Sequence, residues 1–316
     1  MRKSIPRRAL AGAITVVAAS ALTIWSAGQA AAVGSPTGFG AGTTGGGSAA
    51  PVTVTTSSAL ISAIQSSSPA VVRVSGMITV SGMQKVASNK TVIGVGSGSG
   101  IAGGGLDMSG VSNVIIQNLN FRGSSDDAID VQQGSTRIWI DHNTLSNAHD
   151  GLVDIKRASD FITVSWNHFF NHDKTMLLGH SDSNGSQDRG HLRVSYHHNW
   201  FDGTNQRHPR VRFGNPVHVF NNYYGGVTSY GVASTMEGGT LVEGNYFDNT
   251  SDAFHCGEAA SPPGALVARN NTLANSAGST SGCTGTVKAI PYSYSLDPSA
   301  NVKSIVQGGA GVGKVA

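Results

Sequence analysis

The sequence predicts an all-β fold, a right-handed parallel β-helix with a short N-terminal capping helix, and two observations support this prediction. Strand-like runs repeatedly end in an Asn-x-apolar signature, of which Leu119-Asn120-Phe121 is an imperfect first copy. From Leu119 onward the copies begin at positions 119, 143, 167, 199, 222, 245 and 271, with one long step after Asn167. Such nearly constant spacing is typical of a solenoid, in which each repeat is one coil. The complete copies are Asn143-Thr144-Leu145, Asn167-His168-Phe169, Asn199-Trp200-Phe201, Asn222-Tyr223-Tyr224, Asn245-Tyr246-Phe247 and Asn271-Thr272-Leu273.

Short β-branched runs recur along the same part of the chain, separated by glycine, serine, asparagine and aspartate. The repeat lacks the leucine spacing of leucine-rich repeats, and a propeller blade has a longer period. Three short strands per coil of a parallel β-helix therefore fit best. After a first strand at 51–55, the runs span residues 71–74, 91–94, 113–116, 137–140, 161–164, 192–195, 217–220, 240–242 and 266–268.

One helix is predicted over residues 58–66, because apolar residues recur there at helical spacing and threonine or serine is available as an N-cap. The asparagines of the signature have a structural explanation. Asparagine tolerates the left-handed turn conformation, and stacked amides of neighbouring coils can form a hydrogen-bonded ladder. The long step between Asn167 and Asn199 contains an insert at residues 181–190, which we expect to be a loop bordering the active face.

Residues 1–32 are predicted to be a secretory signal peptide, with a membrane anchor as the alternative. They begin with four basic residues, continue into a short apolar stretch and end in Ala-x-Ala. Without these four, the 21 basic residues of the chain fall to 17 against 18 acidic ones, so the net charge becomes −1. Nucleic-acid or membrane binding therefore has no electrostatic support. We expect a secreted, extracellular monomer with a single catalytic domain at residues 33–316.

Cys256 and Cys283 are the only cysteines of the sequence. An even pair in an exported protein favours a disulfide bond, with two free buried thiols as the alternative. Charged residues make up only 12% of the chain, and runs of helix-forming Glu and Lys are almost absent. This composition argues against an α/β enzyme with surface helices.

Charged residues lie at one nearly fixed offset from the signature, seven or eight residues beyond successive copies. They are Asp127, Asp150, Lys174 and Arg207. Stacked coils are about 4.8 Å apart, so four successive coils would place these residues in a surface column of roughly 14 Å. A groove of that length would hold a few sugar units.

Three carboxylates in this region predict a Ca²⁺ site. Asp127 precedes Asp150 by about one coil, which would place it on the neighbouring coil, and a bend near Gly151 would bring Asp154 close to Asp150. Ca²⁺ prefers several oxygen ligands, and no cysteine is nearby. Three solvated acidic side chains are the alternative.

Basic residues follow the acidic ones along the same face: Lys174, Arg207, Arg210 and Arg212. Cations beside a cation site are tolerated when an anion binds between them, and arginine pairs bidentately with carboxylates. A polyanion with regularly spaced carboxylates meets this requirement. A turn at His208-Pro209 is needed to bring Arg207 and Arg212 to one face.

Several motifs follow one another between residues 139 and 214. They are Trp139-Ile-Asp-His142, Asp150-Gly-Leu-Val-Asp154-Ile-Lys156-Arg157, Val164-Ser-Trp-Asn167, His172-Asp-Lys-Thr-Met-Leu-Leu-Gly179 and Arg207-His-Pro-Arg-Val-Arg212-Phe-Gly214. Together they resemble family 1 polysaccharide lyases, the pectate lyases, and the resemblance extends from about Gly38 to near Val306. It replaces the linker interpretation that the Gly/Ser/Thr-rich composition of residues 33–49 suggests.

The resemblance implies cleavage of α-1,4-linked polygalacturonate by Ca²⁺-dependent β-elimination, giving 4,5-unsaturated oligogalacturonates. It implies that Arg207 is the base that removes the C5 proton. The residues that would bind Ca²⁺ are Asp127, Asp150 and Asp154. The residues that would bind substrate are Lys174, Arg210 and Arg212. A free guanidinium has a pKa of about 12.5 or higher, so we expect an alkaline optimum.

Three other functions are alternatives. A polygalacturonase-type hydrolase would need a carboxylate pair with water between its members; Asp126 and Asp127 are candidates, but the Asn-Thr-Asp and Gly-His-Gly motifs are missing. A pectin lyase would act on methyl-esterified polymer without Ca²⁺, and the presence of all three aspartates argues against it. A non-catalytic β-helix that binds polysaccharide is the third alternative.

Overall fold

A computed structural model describes residue 1 and residues 34–315, so the predicted signal peptide lies, apart from residue 1, outside the described residues. The described chain winds into coils whose strands form long parallel sheets. The predicted parallel β-helix is confirmed.

Strands of successive coils pair with one another and form three stacks along the axis of the solenoid. Sheet 1 consists of Pro51–Val54, Ala70–Val74, Lys90–Gly94, Ser112–Gln117, Thr136–Asp141, Asp160–Ser165, Val194–His197, Val217–Phe220, Gly239–Glu243 and Ala265–Arg269. Sheet 2 consists of Met77–Lys85, Gly100–Ser109, Asn120–Arg122, Thr144–Ser146, His168–Phe170, Trp200–Asp202, Tyr223–Gly225, Tyr246–Asp248 and Thr272–Ala274. Sheet 3 consists of Ile129–Gln132, Val153–Ile155, Leu177–Leu178, Arg210–Arg212, Val232–Thr235 and Phe254–Cys256. The long strand Gly100–Ser109 pairs with strands of both sheets 2 and 3 and joins them.

Equivalent residues of successive coils stack inside the solenoid. In sheet 1, Val114 pairs with Ile138, Ile138 with Ile162, and Ile162 with Val194. All four are fully buried. Because alternate side chains of a strand face opposite sides of the sheet, the intervening residues face outward.

The predicted helix is confirmed at Ser57–Gln65. The Thr56 side chain accepts a hydrogen bond from the Ala59 amide and so caps its N-terminus. Leu60 and Ile64, which share one face of the helix, are fully buried. The helix thereby covers the apolar interior at the first coil.

The asparagines of the repeat form the predicted ladder. From Asn167 onward, each side-chain oxygen accepts hydrogen bonds from the backbone and side-chain amides of the preceding asparagine, at 2.9 to 3.1 Å. Asn143 Oδ1 accepts from the Leu119 amide at 3.0 Å. The left-handed conformation falls on the residue just before the ladder position, such as His142 or Trp166, and on none of the ladder asparagines. The expectation that these asparagines occupy the left-handed turn was therefore wrong.

Residues 38–46 pack on the outer face of sheet 1, so the linker interpretation was wrong. The short 3-10 helix Gly38–Gly40 places the Phe39 amide 3.0 Å from Ser195 Oγ and the Gly40 amide 2.9 Å from Thr163 Oγ1. A Cβ on Gly46 would lie 2.2 Å from the Ala70 carbonyl oxygen, so the segment requires glycine there.

The C-terminal helix Ser299–Gly309 covers sheet 2, where Val302 and Val306 pack against Tyr223. Cys256 and Cys283 form the predicted disulfide. Among residues 34–315 no helix is both long and apolar enough to cross a membrane.

One strand of sheet 1 begins later than predicted, at Val194–His197. Leu192 adopts a left-handed backbone conformation with φ of 61° and thereby delays the strand. The insert before it contains the short helix Gly185–Asp188 and otherwise forms the expected loop.

Candidate active site

The outer face of sheet 3 and the turns that lead into it form a polar groove. At one place the groove has a cavity of about 550 Å³. Its lining includes His149, Asp150, His172, Lys174 and Asn205. All the predicted site residues lie on sheet 3 or on the turns before its strands.

The predicted column of charged residues is staggered. Asp154 pairs with Asp130, which places Asp150 opposite Asp126 and Gly151 opposite Asp127. Lys174 pairs with Gln206, the residue just before Arg207. The sequence contained this signal, because it is Asp126, and not Asp127, whose interval to Asp150 equals that between the equivalent repeat positions Leu119 and Asn143.

Three carboxylates converge at the start of the groove. One oxygen from each of Asp126, Asp127 and Asp150 lies within 4.8 Å of the others. Asp127 is buried, Asp150 is half-buried and Asp126 is exposed. Two of these residues were predicted as Ca²⁺ ligands. Asp126 was not, although its position beside Asp127 and one full coil before Asp150 was the available signal.

Asp154, the third predicted ligand, lies beneath Gly151 and is not among the three acids whose oxygens are within 4.8 Å of one another. A Cβ on Gly151 would lie 2.1 Å from Asp154 Oδ1 and 3.0 Å from Asp127 Oδ1, so both oxygens point toward the space that glycine leaves. The Leu177 amide donates a hydrogen bond to Asp154 Oδ1 at 3.2 Å. The chain bends around Gly151, as the sequence required.

Lys156 lies among these acids and was not assigned a role from the sequence. Its Nζ atom is 3.3 Å from Asp127 Oδ2 and 3.2 Å from Asp130 Oδ1. Burial opposes the charge of Lys156, yet Asp130, Asp127 and Asp154 together raise its pKa. The acids thus favour the charged form of Lys156, which lies under the acidic group.

Burial dominates the electrostatics of the acids. It raises the pKa of Asp127, against the opposing effects of Lys156 and the Gly151 amide. It raises the pKa of Asp154 well above its usual range, with the nearby charge of Asp127 acting in the same direction. It also raises the pKa of Asp130 to about 7. One lysine therefore does not offset the cost of charging these buried acids, and an oxygen-only donor set of this kind suits a hard divalent cation.

Lys174 adjoins the acidic group, and its Nζ donates a hydrogen bond to Asp150 Oδ1 at 3.1 Å. His172 Nε2 lies 2.7 Å from the Asp150 carbonyl oxygen and 3.1 Å from that of Lys174. Burial lowers the pKa of His172. The histidine therefore joins the backbone of the two residues that carry the ion pair.

Arg207 lies in the site without an ionic partner among residues 34–315. Its Nε atom is buried without a hydrogen bond, and no side chain of the described residues forms an ion pair with it. Its backbone φ is 64°, in the left-handed region that non-glycine residues rarely adopt. This conformation supplies the turn that the sequence required before Pro209.

Arg210 and Arg212 flank the inward-facing Val211 and project from the same outer face of sheet 3. Arg210 Nη2 donates to Ser261 Oγ at 2.7 Å and to the Glu258 carbonyl at 3.2 Å. Burial lowers the pKa of Arg210, and the charge of Arg212 adds to the effect. Arg212 Nε donates to Asp182 Oδ1 at 2.6 Å.

Comparison with known proteins identifies the class. The family model described as pectate lyase matches residues 9–315, so the protein is a polysaccharide lyase. The chain is 39% identical over 293 residues to the pectate trisaccharide-lyase of Bacillus licheniformis, covering 87% of this chain and 84% of that protein. It is 38% identical over 264 residues to the probable pectate lyase A of Aspergillus fumigatus, covering 80% and 79%. The chain belongs to the pectate lyase family.

Solved structures agree with this assignment. The pectate lyase Bsp165PelA of Bacillus sp. N165, crystallised with trigalacturonate, superposes with a TM-score of 0.79 and 32% identity. The match covers 89% of this chain and all of that one. Pectate lyase II of Xanthomonas campestris superposes with a TM-score of 0.75 and 28% identity, covering 89% and 99%.

Proposed function

We propose that this protein is a secreted pectate lyase that cleaves α-1,4-linked polygalacturonate by Ca²⁺-dependent β-elimination and releases 4,5-unsaturated oligogalacturonates. The trisaccharide-lyase among its relatives and the trigalacturonate bound to a similar structure support this substrate class. The predicted signal peptide supports secretion. We further propose that residues 33–316 form one catalytic domain and that the enzyme acts as a monomer.

The observation that carries the proposal is the unpaired state of Arg207. Lys174 and Arg212 are each paired with an aspartate, and Arg210 is hydrogen-bonded to Ser261. A neighbouring carboxylate would favour the charged form of a guanidinium. A base must be neutral to accept a proton. Among the described residues, Arg207 and Arg210 both lack an acidic partner, but Arg210 donates hydrogen bonds to Ser261 and the Glu258 carbonyl, so Arg207 is the best candidate.

In the proposed step, neutral Arg207 removes the proton from C5 of a galacturonate unit. The electrons of the broken C–H bond form the C4–C5 double bond, the bond between C4 and the glycosidic oxygen breaks, and the leaving oxygen takes up a proton from water. Negative charge develops on the adjacent carboxylate. Lys174 and Arg212, with Arg210 beside them, would bind substrate carboxylates and stabilise this charge.

The residues that would hold Ca²⁺ are Asp127, Asp150 and Asp154, with Asp126 as a fourth oxygen donor. When bound, Ca²⁺ supplies a fixed positive charge that stabilises a uronate carboxylate as negative charge accumulates beside it. The buried, insufficiently compensated carboxylates support this assignment.

The decisive experiment is to incubate the mature enzyme with polygalacturonate and follow ultraviolet absorbance with and without a chelator. We expect absorbance from the unsaturated product, its loss with the chelator and its return with added Ca²⁺. New reducing ends without absorbance would instead indicate a hydrolase. Cleavage of methyl-esterified pectin that persists with the chelator would indicate a pectin lyase, and binding without cleavage a non-catalytic protein.

A further inference from the structure

Asp182, from the insert at residues 181–190, contacts Arg212 directly and is linked to Arg210, the other outward-facing arginine of its strand, through Ser261. Its Oδ1 atom accepts a hydrogen bond from Arg212 Nε at 2.6 Å. Ser261 Oγ lies 2.8 Å from both Asp182 oxygens and accepts a hydrogen bond from Arg210 Nη2 at 2.7 Å. Three segments that are distant in sequence therefore meet in one chain of hydrogen bonds.

The arrangement holds Arg212 from two sides. Opposite Asp182, Arg212 Nη1 donates to the Gly179 carbonyl at 3.3 Å. Gly179 has a φ of 92°, and a Cβ there would lie 2.7 Å from the Cβ of Arg212, so the close approach requires glycine. The Arg212 side chain is only 11% exposed. Its guanidinium consequently has a fixed orientation.

The contact leaves part of Arg212 available for a ligand. In a bidentate pair, a carboxylate accepts two parallel N–H hydrogen bonds from a guanidinium. Asp182 accepts from Nε alone and shares its oxygens with Ser261. Within residues 34–315, Nη2 of Arg212 makes no hydrogen bond, although Nε and Nη1 do.

We propose that Asp182 is a positioning residue that orients Arg212, with Ser261, to bind a galacturonate carboxylate. This inference rests on the proposed role of Arg212 in substrate binding. The insert, which interrupts the regular coil length, thus contributes to substrate recognition. Ser261 completes the arrangement from the segment that follows the disulfide-bonded Cys256.

The test measures the affinity for trigalacturonate by calorimetry, in Ca²⁺ and in the Arg207→Ala background to prevent turnover. We expect Asp182→Ala to weaken binding about tenfold, comparable to the loss of one charge-assisted hydrogen bond. Asp182→Asn keeps an acceptor for Arg212 Nε and should have a smaller effect. In otherwise wild-type enzyme, Asp182→Ala should raise KM by a similar factor and also lower kcat, because Arg212 is proposed to stabilise the charge that develops on the substrate carboxylate.

Glu237→Ala is the matched control. The substitution removes an exposed ion pair between Glu237 and Arg189, at 2.6 Å. Arg189 belongs to the same insert as Asp182, and neither partner of this ion pair contacts Arg212. It should leave trigalacturonate affinity unchanged. In an Arg212→Ala background, Asp182→Ala should have no further effect, because the aspartate acts through that arginine.

Unchanged or tighter binding by Asp182→Ala would overturn the inference, since tighter binding would mean that Asp182 competes with substrate. An Arg212→Ala variant that binds normally would instead refute the proposed role of Arg212. Hydrogen exchange of the Arg212 Nε–H, measured by NMR in the absence of sugar, tests directly whether Asp182 holds the guanidinium. We expect slow hydrogen exchange in wild type and fast exchange in Asp182→Ala, and equal exchange would contradict the positioning.

Discussion

Lys174 Nζ donates a hydrogen bond to Asp150 Oδ1 over 3.1 Å, which joins a proposed substrate-binding cation to a proposed Ca²⁺ ligand. Both side chains are partly exposed, at 39% and 46%. A cation bound by Asp150 competes with this ion pair for the same carboxylate. Ca²⁺ binding should therefore release Lys174 toward the groove.

Replacing Lys174 with Met should raise Ca²⁺ affinity in the absence of substrate. Partly exposed ion pairs contribute up to about 1 kcal/mol, so we expect an increase of about twofold to fivefold in calorimetric titrations. The same variant should have a higher KM for polygalacturonate. Lys303→Met, which removes an ion pair to Asp248 elsewhere, is the control. A lower Ca²⁺ affinity in Lys174→Met would contradict the competition.

Arg207→Ala should abolish most of the cleavage without disturbing the metal site. General base catalysis contributes about 100-fold to 10,000-fold to a rate, and we expect kcat to fall within or beyond this range. The increase in melting temperature on adding Ca²⁺ should equal that of wild type. A variant that retains activity would exclude Arg207 as the base.

Ca²⁺ binding should strengthen as pH rises. The pKa values of Asp127 and Asp154 are raised, mainly by burial, so protons occupy these carboxylates to a higher pH than usual and must leave before Ca²⁺ binds. Each displaced proton changes affinity up to about tenfold per pH unit. Titrations from about pH 4, the usual carboxyl pKa, upward should show this slope, and Asp154→Asn should reduce it. A flat profile would contradict the assigned ligands.

The asparagine ladder should contribute measurably to stability. Asn199 is fully buried and donates to the Val164 carbonyl at 2.9 Å and to Asn222 Oδ1 at 3.0 Å. Asn199→Ala would leave buried polar groups unsatisfied, and we expect a loss of about 3 kcal/mol in the free energy of unfolding. Asn271→Ala, in the last and more exposed rung, should cost less in chemical denaturation. Equal losses would argue against the cooperative ladder.

Acid should destabilise the fold through two buried histidines. Burial lowers the pKa of His208 to about 3 and that of His218 to about 4. Below the unfolded pKa of about 6.5 the unfolded chain binds more protons, so these groups make stability fall as pH decreases from about 6.5 toward 4. Melting temperatures in saturating Ca²⁺ should show this decline. A pH slope unchanged in His208→Gln would contradict the role of His208.

The repeat by itself determined the architecture. Periodic spacing predicted stacked coils, because each coil must bury its apolar side chains against the next one. The positions of the ladder asparagines, the helix near residues 58–66 and the Cys256–Cys283 pair followed from local chemistry. Because the coils stack, the motifs around Asp150 and Arg207 were expected to bring the acids and the basic residues to one face.

Tertiary structure decided how those residues meet. A shift of one residue in register moves a side chain to the opposite face of a strand, and the pairing of the coils places Asp126, and not Asp127, opposite Asp150. The interval in the sequence already pointed to Asp126, but only the paired strands show which acids converge. The contact of Lys156 with the acids depends on a long side chain that reaches the neighbouring coil. The contact of Asp182 with Arg212 depends on a loop outside the repeat. Contacts of this kind have no period in the sequence, because they arise only when the coils stack.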